Sequence, residues 1–441
     1  MFKSRTLRGI RLSHKKHTRF CETIEMPVPA TVTIPMRQHI GAVCDPIVAV
    51  GDTVYVGQKI GDSSAFVSSP VHSPVSGVVK AREIVLMPNG VPTPSLTIES
   101  DGLQTPWPEL KPPTITNAKE LVAAVRESGI VGLGGAGFPA HVKLAYEHMD
   151  QIKALYINLA ECEPYITSDN REVLENADGI FAGIELIMRC TQIPHTVICV
   201  EHNKPAAINE LERRCAGRTD IEVRILGDKY PKGAEKVLLY EADGIVVGRG
   251  KLPADCGAIV MNVSTVSAIA DYAKTGMPLL SRRLTVDGDL VPKPQNVRVP
   301  IGTPIDDVLA FCNIPKEKLQ MVIAGGVMMG NCVIDTTRPV TKTANALLCF
   351  QKPYDRDHSP CIRCGKCVEA CPIRLAPLMI EKAYARRDID ELRRQNVELC
   401  INCGCCSYVC PAKRDLSHKN QIAKGYLKAE DAAKKALNIQ S

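Results

Sequence analysis

Two stretches near the end of the chain, CIRCGKCVEACP and CINCGCCSYVCP, each place four cysteines at the spacing C-x2-C-x2-C-x3-C, with a proline after the fourth. Three thiolates on one tight turn can cap three irons of a cubane, while the fourth, carried away on a helix, reaches the other cluster. The spacing therefore predicts one [4Fe–4S] cluster on Cys361, Cys364, Cys367 and Cys410 and a second on Cys400, Cys403, Cys406 and Cys371. A zinc site needs four ligands, commonly as two separated pairs, and gains nothing from eight. Cys405 falls outside the spacing and is expected to be a spectator. Nine of the nineteen cysteines lie between Cys361 and Cys410 and the other ten are scattered singly. A disulfide framework would spread them through a small secreted domain instead.

A second stretch, GIVGLGGAGFPAHVKL over residues 129–144, holds five glycines and one lysine. Such loops wrap anions, because backbone N–H groups unobstructed by side chains can converge on negative charge. The letters Gly132-x-Gly134-x-x-Gly137 spell the dinucleotide fingerprint, which has mechanical meaning only between a strand and a helix. Here the helical pattern NAKELVAAVRES precedes the loop, with Leu121, Val122 and Val125 on one face. A Rossmann site is not expected.

The elements that must position these groups fall into four stretches. Residues 1–115 hold short valine-rich strands broken by Gly and Pro, and close on the linker TPWPELKPPTIT, which reads as a small β-sandwich or barrel. The phrases VGDTVYVGQ and SPVSGVV resemble lipoyl and biotinyl carriers, although the tip SSAFVSSPVHSP has no modifiable lysine. Residues 116–275 alternate helices with the strands KALYINLAE, HTVICVEH, IEVRIL and GAIVMNV, an α/β pattern. Residues 276–350 return to short strands around the helix PIDDVLAFC, an α+β module of ubiquitin-like size. Residues 351–441 are helical and cysteine-rich, and the long helical interval between the two cysteine runs resembles the helical ferredoxins of respiratory enzymes. The fold class is multidomain α/β and α+β.

GLGGAGFPAHVKL resembles the flavin loop of the NADH-oxidising subunit of respiratory complex I, with the pattern G-R-G-G-A-G-F-P-x-G-x-K. YINLAECEP, YPKGAEKVL and MNVSTV are similar, in order, to three further motifs of that family. With the modules on either side, the whole chain resembles the RnfC component of the Rnf electron-transport complex. That family combines a barrel-sandwich hybrid (1–115), an FMN/NADH-binding α/β domain (116–275), a β-grasp SLBB-like domain (276–350) and a helical ferredoxin domain with two [4Fe–4S] clusters (351–441).

The resemblance implies roles residue by residue. Gly132, Gly134, Gly135 and Gly137 would let the backbone approach FMN, with Lys143 as a point charge, and Asn158 and Glu161 would hydrogen-bond the flavin ring or ribityl chain. Gly233 would open a helix whose N-terminus favours negative charge. Glu163 and Glu235 match acidic positions that contact the nicotinamide nucleotide, and Asn262 and Thr265 match polar positions near the phosphate. Three departures stand out: Leu133 for an arginine, Ala160 for an acid and Ala234 for the first of paired glutamates. Tyr146 is the candidate aromatic face for adenine.

The family implies a ferredoxin:NAD+ oxidoreductase that couples electron flow to sodium or proton movement. This chain would be its peripheral NAD(H)-handling subunit on the cytoplasmic side of the cell membrane, meeting the other subunits directly and ferredoxin indirectly. No stretch approaches eighteen uninterrupted apolar residues, so no transmembrane helix is expected. Net charge is +6, and the first twenty residues and the tail beyond Ala412 are basic. These runs read as solvated termini, with docking to an acidic partner or anionic membrane as the alternative, and their lack of interleaved aromatics argues against nucleic acid. Two other functions compete: a soluble cobalamin (corrinoid) reductase of the same flavin and iron–sulfur type, and an electron-transfer or assembly scaffold without NADH binding.

Overall fold

The computed structural model describes residues 8–87, 90–352 and 357–439, with no side-chain description from 435 onward. The start of the basic N-terminal run and the Lys435 side chain of the basic tail therefore lie outside what is described. Strand β1 (Thr23–Glu25) is followed by β2 (Thr31–Pro35), β3 (Asp45–Pro46), β4 (Thr53–Val54), β5 (Lys59–Asp62), β6 (Val71–His72), β7 (Gly77–Leu86) and β8 (Pro92–Ser100). A four-stranded antiparallel sheet, β2-β8-β7-β4, faces a three-stranded one, β3-β5-β6. Alternation drives this packing: Val32, Ile34, Val79, Leu96 and Ile98 point inward onto Ile60 and Val71 while the intervening threonines of β2 and β8 point out. β1 does not join either sheet. It pairs in parallel with residues 295–300 of the third module, so the N-terminal segment crosses the molecule, although the sequence places all of 1–115 in the first module.

The second module carries helices α1 (Ala118–Glu127) and α2 (Ala140–Leu144), then β9 (Ala154–Leu159), α3 (Ser168–Thr191), β10 (Thr196–Glu201), α4 (Pro205–Cys215), β11 (Ile221–Leu226), α5 (Glu235–Asp243), β12 (Ala258–Asn262) and α6 (Val263–Thr275). The sheet is parallel, in the order β11-β10-β9-β12. Leu155, Ile157 and Leu159 face α3, α4 and α6, while Ala154, Tyr156 and Ala160 face α5 on the other side. The chain therefore leaves β9 toward β10 and returns to the opposite edge of β9 as β12. That reversal makes β9/β12 a topological switch point, outside whose carboxyl ends α/β proteins bind ligands.

The third module holds β13 (Ser281–Asp287), β14 (Gln295–Pro300), α7 (Ile305–Phe311), β15 (Met321–Ala324), β16 (Asn331–Val333) and β17 (Ala346–Phe350). With β1 they form one mixed sheet, β1-β14-β13-β17-β15-β16, closed over Val308 and Leu309 of α7. The last module is helical: α8 (Lys366–Glu369), α9 (Pro377–Ala385), α10 (Ile389–Arg394), α11 (Cys405–Tyr408) and α12 (Leu416–Ile439). Ile380, Leu392, Ala423 and Leu427 form its core. No helix among the described residues is long and apolar enough to cross a membrane.

Candidate functional site: a glycine-loop crevice joined to two cysteine runs

The glycine loop sits over the switch point. α1, not a strand, precedes it, as the sequence pattern indicates. The loop is pinned at its base: Gly132 N–H donates to Phe138 O at 2.8 Å, and Gly137 N–H donates to Gly132 O at 3.2 Å. Leu133 is buried, its N–H donating to Thr265 Oγ1 at 2.9 Å and its carbonyl accepting from Arg282 Nη2 at 2.8 Å. Gly134, Gly135 and Ala136 form an exposed tip whose N–H groups have no partner among the described residues. Gly135 has φ of +104°, and a Cβ there would meet nothing within 4 Å. Three unpartnered N–H groups around open space suit the anionic, flat-sided FMN.

The carboxyl ends of β9 and β12 floor this crevice. Asn158 Nδ2 donates to Gly233 O at 2.8 Å, tying β9 to the approach to α5. Asn262 caps α6, its Oδ1 accepting from the N–H groups of Ser264 and Thr265, while its Nδ2 donates to Asp169 Oδ2 at 2.7 Å. Lys143 pairs with Glu235 and donates to Val260 O at 2.8 Å, so α2, α5 and β12 are held together beneath the loop. Gly132, Gly134, Gly135, Lys143, Asn158, Gly233, Glu235 and Asn262 thus lie at the loop and the carboxyl ends of β9 and β12, while Thr265 is buried behind Leu133 and Gly137 packs under the loop against Thr343 of the third module. Tyr146 lies apart on the surface, with its hydroxyl on Asp255 at 3.0 Å.

The two remaining carboxylates turn away from the crevice. Glu161, at φ +43°, accepts from Asp169 N–H at 2.6 Å, while its buried Oε2 has no partner. Burial lifts its carboxyl to about 7, against the pull of Lys16 and Lys204. Glu163 accepts from Met328 N–H at 3.0 Å and from the Tyr230 hydroxyl at 3.3 Å, which places it in the seam between modules. Burial lifts Glu163 to about 7 as well, opposed by those two hydrogen bonds.

Several supporting residues escaped the sequence reading. Lys16, part of the basic run read as solvated, is half-buried, and its ammonium donates to the carbonyls of Glu161, Glu163 and Ile166. Asp169 joins Asn262 to Ser264, and burial raises its carboxyl above the ordinary range. Arg282 on β13 holds the Leu133 carbonyl from behind, and burial pushes it down to about 10. Lys342, 1% exposed, donates to Pro70 O and Gly129 O and so fastens three modules at the root of the loop. Only Asp169 carried a local signal, an acid in the first turn of a helix.

The two cysteine runs fold alike. Arg363 and Gly365 in the first, and Asn402 and Gly404 in the second, all have positive φ, as do Arg374 and Lys413 after the fourth cysteines. These left-handed residues turn N–H groups toward sulfur: Arg363 N–H reaches Cys361 Sγ at 3.4 Å and Leu375 N–H reaches Cys371 Sγ at 3.3 Å. Cys371, Cys400, Cys403 and Cys406 line one cavity, which Cys405 also borders. Cys367 lies beside Cys410, and Arg414 lies beside both Cys361 and Cys410. Among the described residues no three such side chains converge tightly enough to hold a single metal ion. A cubane needs its thiolates spread, one to each iron, and this donor set suits it.

The cysteine module docks on the crevice module through the second run. Cys405, 1% exposed, packs with Tyr230 and Ile10, and its Sγ lies 3.9 Å from Tyr230 O. The backbone from Tyr230 to Gly233, on the crevice rim, is three residues, a span of at most about 11 Å.

Comparison with known proteins follows this division. Residues 5–103 match the RnfC barrel sandwich hybrid domain, residues 125–271 the Nuo51 FMN-binding domain, and residues 354–411 a 4Fe-4S dicluster domain. The chain is therefore an electron-transfer flavoprotein with iron–sulfur, an oxidoreductase subunit. It is 41% identical over 426 residues to the C component of the Na(+)-translocating ferredoxin:NAD(+) oxidoreductase complex of Acetobacterium woodii, covering 94% of this chain and 95% of that one. It is also 41% identical to the proton-translocating counterpart of Clostridium ljungdahlii (80% and 78% covered) and 37% identical to the C component of the ion-translocating oxidoreductase complex of Rhodobacter capsulatus (96% and 83%). The chain belongs to the RnfC family. A crystal structure of an NAD+-reducing [NiFe]-hydrogenase shares the fold at TM-score 0.50 and 20% identity, over 72% of this chain and 64% of that chain.

Proposed function

We propose that this chain is the NAD(H)-handling subunit of an Rnf-type membrane complex, exchanging electrons between NAD(H) and two [4Fe–4S] clusters by way of FMN. The observation that carries this reading is the seam at Tyr230: one end of a three-residue segment touches the second cysteine run, and the other, Gly233, borders the glycine-loop crevice. FMN, when bound, supplies the exchange between two-electron hydride transfer and one-electron transfer. The protein's own task is positional. The Gly134–Ala136 tip offers N–H groups, Asn158 and Asn262 fix the floor, and Lys143 with Glu235 holds the lower rim.

Cys371, Cys400, Cys403 and Cys406 hold the cluster nearer the crevice, and Cys361, Cys364, Cys367 and Cys410 the outer one. Cys364 and Ile362 are exposed there, which suits contact with the subunit that relays electrons from ferredoxin. Relatives named for sodium and for protons are each 41% identical to this chain over the residues matched, and we assign ion choice to the membrane partners. We place the chain peripherally on the cytoplasmic face, and the third module as β-grasp and SLBB-like. The test is cofactor analysis of protein purified anaerobically: one FMN and about eight irons per chain are expected from two cubanes. Four irons, or no flavin, would refute the assignment.

A further inference from the structure

The third module reaches the glycine loop through one buried cation. Arg282 on β13 is 5% exposed, and its guanidinium donates from Nε to Ala344 O at 3.0 Å and from Nη2 to Leu133 O at 2.8 Å. Both acceptors are neutral carbonyls. Among the described residues no carboxylate pairs with Arg282: Asp169 holds Asn262 and Ser264, and Glu172 holds Arg283. A buried guanidinium without a paired carboxylate is costly until an anion completes it.

The bond to Leu133 also fixes a direction. Leu133 is strapped at both of its peptide groups, its N–H on Thr265 Oγ1 and its carbonyl on Arg282. The Leu133–Gly134 peptide is trans, so its C=O and N–H point opposite ways. Turning the carbonyl onto Arg282 therefore turns the Gly134 N–H away from the third module, and that N–H has no partner among the described residues. Gly134 stands over Asn262, the cap of α6, where a Cβ would lie 3.2 Å from Nδ2. A free N–H is thus set beside a helix N-terminus, and both favour negative charge.

From this geometry we propose that Arg282 is a positioning residue for the loop's anion: it aims the Gly134 N–H at a phosphate monoester and supplies the positive charge that Leu133 does not. This rests on the flavin reading above, the phosphate monoester being that of FMN. The guanidinium acts through the Leu133–Gly134 peptide. The third module thereby becomes part of the flavin site and favours the phosphorylated flavin over the unphosphorylated one.

The test is calorimetric titration of the full-length protein, clusters intact and flavin removed, with FMN and with riboflavin, which lacks the phosphate. Wild type should bind FMN more tightly than riboflavin. In Arg282→Gln, which keeps a donor but no charge, FMN affinity should fall about tenfold, the scale of one hydrogen bond to a charged group, while riboflavin affinity stays within about twofold. Arg282→Lys, which restores the charge, should recover most of the FMN preference. Equal losses for both ligands in Arg282→Gln would make Arg282 a structural strut and overturn the proposal, as would an unchanged FMN affinity. Wild type that binds the two flavins equally would also overturn it, whatever the fate of the variants. Wild type that binds neither would instead overturn the underlying flavin reading.

Discussion

Asn158 and Asn262 form the last matched pair of the ladder between β9 and β12, and each aims its amide at a different neighbour. Asn158 binds the Gly233 carbonyl at 2.8 Å and Asn262 binds Asp169 at 2.7 Å. One pair of side chains thus ties the sheet's switch point to α5 on one side and to α3 on the other. Asn262→Ala removes a helix cap and should cost about 1 kcal/mol of stability. Asn262→Asp keeps the cap but sets a carboxylate against Asp169. Both should retain less FMN than wild type after gel filtration, and only the alanine variant should lose its α6 cap stability in thermal melts.

Gly135 and Gly137 separate two uses of the same loop. Gly135, at φ +104° over open space, should tolerate alanine at a backbone cost of about 1–3 kcal/mol while losing flavin. At Gly137, φ +66°, a Cβ would lie 2.6 Å from Thr343 Cγ2 at the junction with the third module. Gly137→Ala should therefore lower the denaturation midpoint further than Gly135→Ala. Flavin fluorescence beside urea titrations distinguishes the two.

Glu163 gives the protein a pH dependence of defined sign. Its folded carboxyl titrates near 7, above the ordinary value of 4.5, because burial penalises the charge. The folded state therefore holds the proton more tightly than the unfolded chain, and this contribution is full below 4.5 and lost as pH rises through 7. Glu163→Gln keeps an acceptor for Met328 N–H and cannot ionise. Between about pH 5 and 8 wild type should lose on the order of 1–3 kcal/mol relative to this variant, read from denaturant midpoints. Parallel curves for the two proteins would contradict the assignment.

The proposed cross-ligation would make the two fourth cysteines non-equivalent. Cys371→Ala should remove the crevice-facing cluster and leave the outer one, while Cys410→Ala should do the reverse. Each should lose about half of the expected iron. NADH should then reduce the surviving cluster readily in Cys410→Ala and poorly in Cys371→Ala. Equal behaviour of both variants would argue against a fixed order of the clusters.

Much of this was legible in the sequence because it is local. The cysteine spacing points to its own cluster ligands, and the strands of the second module and the helix before the glycine loop show in composition and periodicity, whereas α6 behind its Asn262 cap did not. What was not legible depends on contacts across the chain. Lys16 looks like one more solvated cation until the Glu161–Ile166 turn, nearly 150 residues away, closes over it. Glu163 carries a nucleotide-contacting motif, but the third module supplies Met328 to occupy it. Leu133 looks like the loss of a positive charge, and Arg282 brings a guanidinium to the same loop from a different module.

The most direct measurement is an anaerobic titration of the holoprotein with NADH, following flavin and iron–sulfur absorbance together. Bleaching of both in step is the expected result, since the crevice and the second cysteine run meet at Tyr230. Clusters that respond to dithionite but ignore NADH would contradict the proposed path from nicotinamide to iron–sulfur.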